Sequence, residues 1–137
     1  MKFEIREFEE STRNSALAAQ ALGCTIAEIA KSVVFVGATT AVVIISGDRK
    51  VDRERLARAA GEALRIASPE EVRQRTAFPI GGVPPFPHGQ GVSVMPDSSL
   101  RRFQSVWAAA GAPNAVFRIR VVDLLRLVGK GTYELAE

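Results

Sequence analysis

Lys31, His88, Asp97 and the backbone of the loop Phe78-Pro-Ile-Gly-Gly-Val-Pro-Pro-Phe-Pro-His88 are the parts of this chain with the chemistry to act on a substrate. Lys31 heads a strongly apolar segment. At the end of a strand its ammonium can snorkel to water; in a cleft it would attract a phosphate or a carbonyl oxygen. In the loop, proline rings restrict the backbone and donate nothing. The paired Gly81 and Gly82 remove side chains, so N–H groups from Gly81 to Val83 can face a ligand and hold an oxyanion or place a water. A rigid structural turn is the plain alternative. His88 is the one side chain that ordinarily titrates near neutrality, and it can carry a proton or form a hydrogen-bonding wall. Asp97, between Pro96 and Ser98-Ser99-Leu100, can cap the next turn or accept from a ligand hydroxyl or amine.

Familiar catalytic constellations are missing around these residues. One histidine and one cysteine do not make the usual zinc site, and the sequence has no nucleophile elbow, phosphate loop or dinucleotide fingerprint. The 137 residues, 47% hydrophobic and 24% charged, suit a single compact domain over 1–137. Cys24 has no partner in the chain, as expected in a reducing cytosol. The apolar runs are too short for a bilayer, and the N-terminus carries no hydrophobic signal region, so a soluble cytoplasmic domain without a membrane is expected. Net charge is +3, and 14 of the 18 basic residues are arginine. Between Arg101 and Lys130 six basic residues face only Asp123. That excess permits a polyanionic partner, since arginine offers phosphate a planar fork of donors, and it equally describes a solvated surface.

The elements that would position these groups can be read in order. Alternation at Phe3 and Ile5 predicts a short strand, followed by a helix starting at Ser11 or Thr12, with Leu17, Ala18, Ala21 and Leu22 inward and Gly23 as its stop. Thr25 and Glu28 have capping-box spacing. The branched segments 30–36 and 41–46 predict paired central strands joined by 37–40. Asp52 caps a helix bearing Leu56, Ala60, Ala63 and Leu64. Ser68-Pro-Glu-Glu71 has serine, proline and glutamate where a helix start wants them. From 76 to 91 prolines and glycines exclude a helix or central strand. Strands over 92–95, 106–110 and 115–119 and a helix over 122–128 complete the chain. Mixed elements with short turns between neighbouring strands give an α+β fold: a mixed, largely antiparallel sheet with surrounding helices.

Several segments together resemble the YbaK/prolyl-tRNA synthetase-associated family of aminoacyl-tRNA editing domains. They are Ile29-Ala-Lys-Ser-Val-Val-Phe35, Ser46-Gly-Asp-Arg-Lys-Val-Asp52, Ser68-Pro-Glu-Glu-Val72, the loop from Phe78 to His88, Asp97-Ser-Ser-Leu100, Ala109-Ala-Gly111 and Asp123-Leu124. They occur in family order over nearly the whole chain. The resemblance implies hydrolysis of the ester joining a wrong amino acid to the tRNA 3′ end, typically tRNA(Pro), without metal or other cofactor and with help from the tRNA's terminal hydroxyls. By position it implies a catalytic group of Lys31, Gly81 and Gly82. Lys31 would engage the terminal nucleotide, and the loop backbone would hold the carbonyl and the attacking water. Val83, Pro84, Pro85, His88, Asp97 and Lys50 would bind substrate. A free-standing deacylase acting in trans on tRNA(Pro) carrying alanine or cysteine is expected, with prolyl-tRNA synthetase as a possible partner. The alternative is a tRNA-end or small-molecule binding paralogue without turnover. The chain departs from the family pattern at Thr76-Ala-Phe78, where Thr-Gly-Phe is expected, and at Phe86-Pro-His88, where Phe-Gly-His is expected.

Overall fold

The computed structural model describes residues 4–8 and 14–137. A seven-stranded sheet runs in the order β1 (Glu4–Glu7), β7 (Ala115–Arg120), β6 (Ser105–Ala109), β2 (Ile29–Val36), β3 (Thr40–Ser46), β5 (Val92–Pro96), and the two-residue β4 (Arg65–Ile66) pairs with β2. The pairs β2/β6 and β3/β5 are parallel, and the other four are antiparallel. The α+β reading with a mixed, largely antiparallel sheet therefore holds. No helix among the described residues is long and apolar enough to cross a membrane.

β2 and β3 form the centre because both are continuous runs of branched residues, and every residue of β3 is buried. Side chains alternate across a strand, so β2 serves two cores. Ala30, Val34 and Val36 face a cluster with Val72, Val83, Leu100, Ala108 and Phe117. On the other face, Phe35 packs with Leu56, Leu64 and Leu135, and Ile29 packs with Ala18, Ala19 and Trp107. That face is covered by α1 (Ser15–Leu22) and α2 (Arg53–Ala60), whereas Val72 belongs to α3 (Pro69–Thr76) on the first face. The last helix, α4 (Val121–Val128), follows β7 and buries Leu124 in the first cluster.

Local signals explain most boundaries. The Asp52 carboxylate accepts from the Glu54 and Arg55 N–H groups, and Ser68 with Glu71 forms a full capping box; around a single 3₁₀ turn the Glu28 carboxylate accepts from both the N–H and the hydroxyl of Thr25. Three expectations need revision. Phe3, Ser11 and Thr12 lie outside the described residues, and the cap of α1 is Asn14, whose side chain accepts from Leu17 N–H at 2.8 Å. Leu17 is exposed, because the inward stripe of α1 falls on Ala18 and Ala19. Ala63 and Leu64 are not helical: Gly61, at φ 80°, ends α2 with a left-handed cap, and Leu64 reaches the core from the segment leading into β4.

Candidate functional site

The site begins with a break in the ladder on one edge of β2. The parallel register with β6 stops at Ala30↔Ala108, and pairing with β4 starts only at Phe35↔Ile66. Between these two partners, among the described residues, no strand pairs with Lys31 to Val33 on that edge. Backbone direction alternates along a strand. Ile29 O accepts from Gly47 N–H on the β3 side, while Val34 O accepts from Ala67 N–H on the open side, so the N–H and C=O of Ser32 face the break. A cleft of about 570 Å³ occupies it, lined by β2 from Ile29 to Val34, the start of α1, Ala108 and Ala109 of β6, Val72 of α3, and Ile80, Gly81 and Val83. Its walls come from both faces of the sheet, so it passes through the layer.

The cleft brings Lys31 and Gly81 together. Lys31 shares the α1/α2 face with Val33, whereas the Gly81 loop packs on the opposite face, and only a gap in the sheet lets one cavity touch both. Burial lowers the Lys31 ammonium below the ordinary lysine value; the Asp48 carboxylate opposes that fall and the Lys50 charge adds to it. Asp48 is itself gripped by Arg102 through two hydrogen bonds of 2.7 and 3.1 Å, which hold its carboxyl below the usual range. Lys31 continues into a smaller cavity of about 270 Å³ with Lys50, Arg53 and Ile66, which makes one basic end to the site.

The loop wall is built for rigidity. Thr76 Oγ1 donates to Val72 O at 2.6 Å and accepts from Phe78 N–H at 3.2 Å, which fixes the exit from α3. Gly82 N–H then closes a turn onto Pro79 O at 2.9 Å. Gly81 has φ 81° at the third position of that turn, a backbone conformation suited to glycine. Gly82 O accepts from Gly111 N–H at 2.9 Å, fastening the loop to the β6–β7 turn. Among the described residues the N–H groups of Gly81 and Val83 have no acceptor, so the loop presents two unused donors beside the cleft.

The other expected site residues fall elsewhere. Gly82 lies behind the lining, its N–H and C=O both bonded internally and its α-carbon against Ala112. Pro84 and Pro85 do not line the cleft; Pro84 O meets His88 Nε2 at 3.2 Å, and the His88 ring stands edge-on to Phe78 at 5.6 Å. Asp97 is fully buried, and its carboxylate accepts from Ser99, Leu135 and Ala136 N–H at 2.9, 2.7 and 3.1 Å. That carboxylate caps the 3₁₀ turn Ser98–Arg102 and anchors the C-terminal segment, and it is not part of the cleft wall. Nor is the basic excess of 101–130 a bare patch. Arg102 pairs with Asp48, Arg120 with Asp123, and Lys130 donates to Ser93 Oγ. Sequence reasoning missed Ser32. Its side chain reads as an ordinary strand residue, yet its Oγ is buried without a hydrogen-bond partner among the described residues.

The fold is an α+β domain with a mixed sheet split beside its central strand, a lysine on one side of the opening and unused backbone donors on the other. Residues 9–127 match the aminoacyl-tRNA editing domain, and the chain belongs to that family. YwhH, an uncharacterised protein of Bacillus subtilis (strain 168), is 36% identical over 123 residues, 88% of this chain and 78% of the relative. The crystal structure of a candidate trans-editing enzyme for prolyl tRNA synthetase superposes with a TM-score of 0.89 at 40% identity, covering 98% of this chain and 87% of that one. A hypothetical protein, APE2540, superposes with a TM-score of 0.91 at 26% identity, covering 100% and 93%.

Proposed function

We propose that the domain is a deacylase that removes a wrong, small amino acid from a tRNA in trans, with tRNA(Pro) carrying alanine or cysteine as its substrate. What carries the reading is the single cleft shared by Lys31 and the Gly81 loop. Water adds to the ester carbonyl, the bond from that carbon to the ribose oxygen breaks, and the free amino acid and the tRNA 3′-terminal hydroxyl are released. Such an ester is activated, so orientation and a stabilised oxyanion supply most of what the reaction needs. In this reading the Gly81 and Val83 N–H groups receive the carbonyl oxygen, and Lys31, with Lys50 and Arg53 beside it, receives the terminal nucleotide's phosphate. The wall of Ala30, Val72, Val83 and Ala108 suits a short side chain. His88, on the outer side of the loop, acts by holding Pro84 and Phe78 in place.

Support also comes from the family match and from the likeness to the candidate trans-editing enzyme. The test is deacylation of a panel of charged tRNAs. Loss of alanine or cysteine from tRNA(Pro), with prolyl-tRNA(Pro) left intact, is the expected result. A protein that binds the tRNA 3′ end and hydrolyses none of the panel would instead be the binding paralogue.

A further inference from the structure

Ser32 brings three unmet hydrogen-bonding groups to the cleft wall. Its backbone N–H and C=O face the break between β6 and β4, where no strand pairs with them. Its Oγ is buried without a partner among the described residues. A buried hydroxyl left unpaired is costly, and native proteins seldom keep one without a ligand or water to satisfy it. Among the described residues the lining holds no carboxylate. Lys31 can only donate, and Asn14 Oδ1 already takes Leu17 N–H. Ser15 Oγ also lines the cleft, but at Ser32 an entering amino group finds a backbone C=O and a hydroxyl oxygen on one residue.

We propose that the aminoacyl group of the substrate binds as a one-residue replacement for the missing strand, paired with Ser32. A residue opposite Ser32 in a closely bonded antiparallel pair gives its N–H to the Ser32 C=O and takes the Ser32 N–H on its own C=O. The α-ammonium accordingly donates to Ser32 C=O and, with a second proton, to Ser32 Oγ. The ester carbonyl accepts Ser32 N–H from the strand wall, in addition to the Gly81 and Val83 N–H groups from the loop wall. Ser32 is thus a substrate-positioning residue that reads the free amine. This rests on the editing reading for its substrate and adds which atoms hold it.

Two stable probes test it: 3′-alanylamino-3′-deoxyadenosine, and the propionyl analogue that lacks only the amine. The alanyl probe should bind the wild-type protein at least about tenfold more tightly, the scale of a hydrogen bond to a charged group. Ser32→Ala should lose about tenfold for the alanyl probe and nothing for the propionyl probe. That variant removes an unpaired hydroxyl, so its melting temperature should not fall. In the wild-type protein the Ser32 amide proton should shift downfield with either probe. Equal affinities of the two probes, equal losses in Ser32→Ala, an unmoved Ser32 amide while Gly81 responds, or no binding of either probe would each overturn the inference. Alanyl-tRNA hydrolysis by the wild-type protein tests the editing reading separately. A protein that binds the alanyl probe through Ser32 and leaves the ester intact retains this inference and loses that one.

Discussion

Gly82 O accepts the Gly111 N–H at 2.9 Å, so the loop that presents Gly81 is tied to the β6–β7 turn on the far side of the cleft from Lys31. The tie needs an approach that only glycine allows. A Cβ on Gly82 would sit 3.0 Å from the N, Cα and C atoms of Ala112. Backbone cannot swing aside as a flexible side chain can, so Gly82→Ala should push the loop off the turn, costing about 1–3 kcal/mol. Deacylation should fall at least tenfold with it. Equilibrium denaturation and kcat/KM on one preparation check both. A variant with wild-type stability and turnover would show that loop position does not matter.

Ala77 sits at φ 68° as the cap that ends α3, the sole non-glycine residue with positive φ among those described. The resemblance implies glycine at this place, and the fold gives a reason: a Cβ in the left-handed region strains against its own backbone. Ala77→Gly should therefore stabilise the protein by about 1 kcal/mol, raising Tm by about 3 °C. An unchanged or lower Tm would mean that the added backbone freedom of the unfolded chain outweighs the strain.

The family resemblance places Asp97 at the substrate, while its position in the chain also suits a cap; in the fold its carboxylate holds three backbone N–H groups. Asp97→Ala leaves those donors buried and unpaired and should cost on the order of 3 kcal/mol or more. Asp97→Asn, which keeps one acceptor oxygen, should fall between. Thermal melts of both variants provide the check. An Asp97→Asn protein as stable as wild type but with a raised KM would return the residue to the substrate.

Much of this architecture was legible because it depends on local chemistry. The caps at Asp52 and Ser68, the paired strands around 37–40 and the irregular 76–91 segment follow from residue types a few positions apart. The juxtaposition of Lys31 with the Gly81 loop could be inferred only through family resemblance, since fifty residues and a sheet edge separate them. What escaped the sequence was non-local. β4 is two residues long and has no periodicity to detect. The break opposite Ser32 exists because β6 and β4 stop short of each other, a property of register. Asp97 and Asp52 look alike as caps, and only burial against the C-terminal segment separates their roles.

β4 is held to α3 by Arg65, which donates to both Glu71 oxygens at 2.8 and 2.6 Å, while Ser68 N–H bonds the same carboxylate. The Arg65 bonds come first among the causes that bring Glu71 to a pKa of about 2. The folded value lies below the unfolded one, so this stabilisation is complete above the ordinary glutamate pKa of about 4.3 and is lost as pH falls from there toward 2. Melting curves from neutral pH down through that window should show a steeper fall in Tm for wild type than for Glu71→Gln. Parallel slopes would mean that the pair contributes nothing to the pH response.

The central claim is that the cleft between Lys31 and the Gly81 loop is where the ester is cut. Single-turnover hydrolysis of alanyl-tRNA(Pro) by wild type and Lys31→Ala, at matched enzyme concentration and with folding verified by melting temperature, tests it most directly. Burial disfavours the Lys31 charge, so its removal should leave Tm equal or higher. Wild type should release alanine rapidly, and the variant at a rate lower by at least about 100-fold, about 2.7 kcal/mol of lost transition-state stabilisation. A folded Lys31→Ala protein that releases alanine as fast as wild type would contradict it.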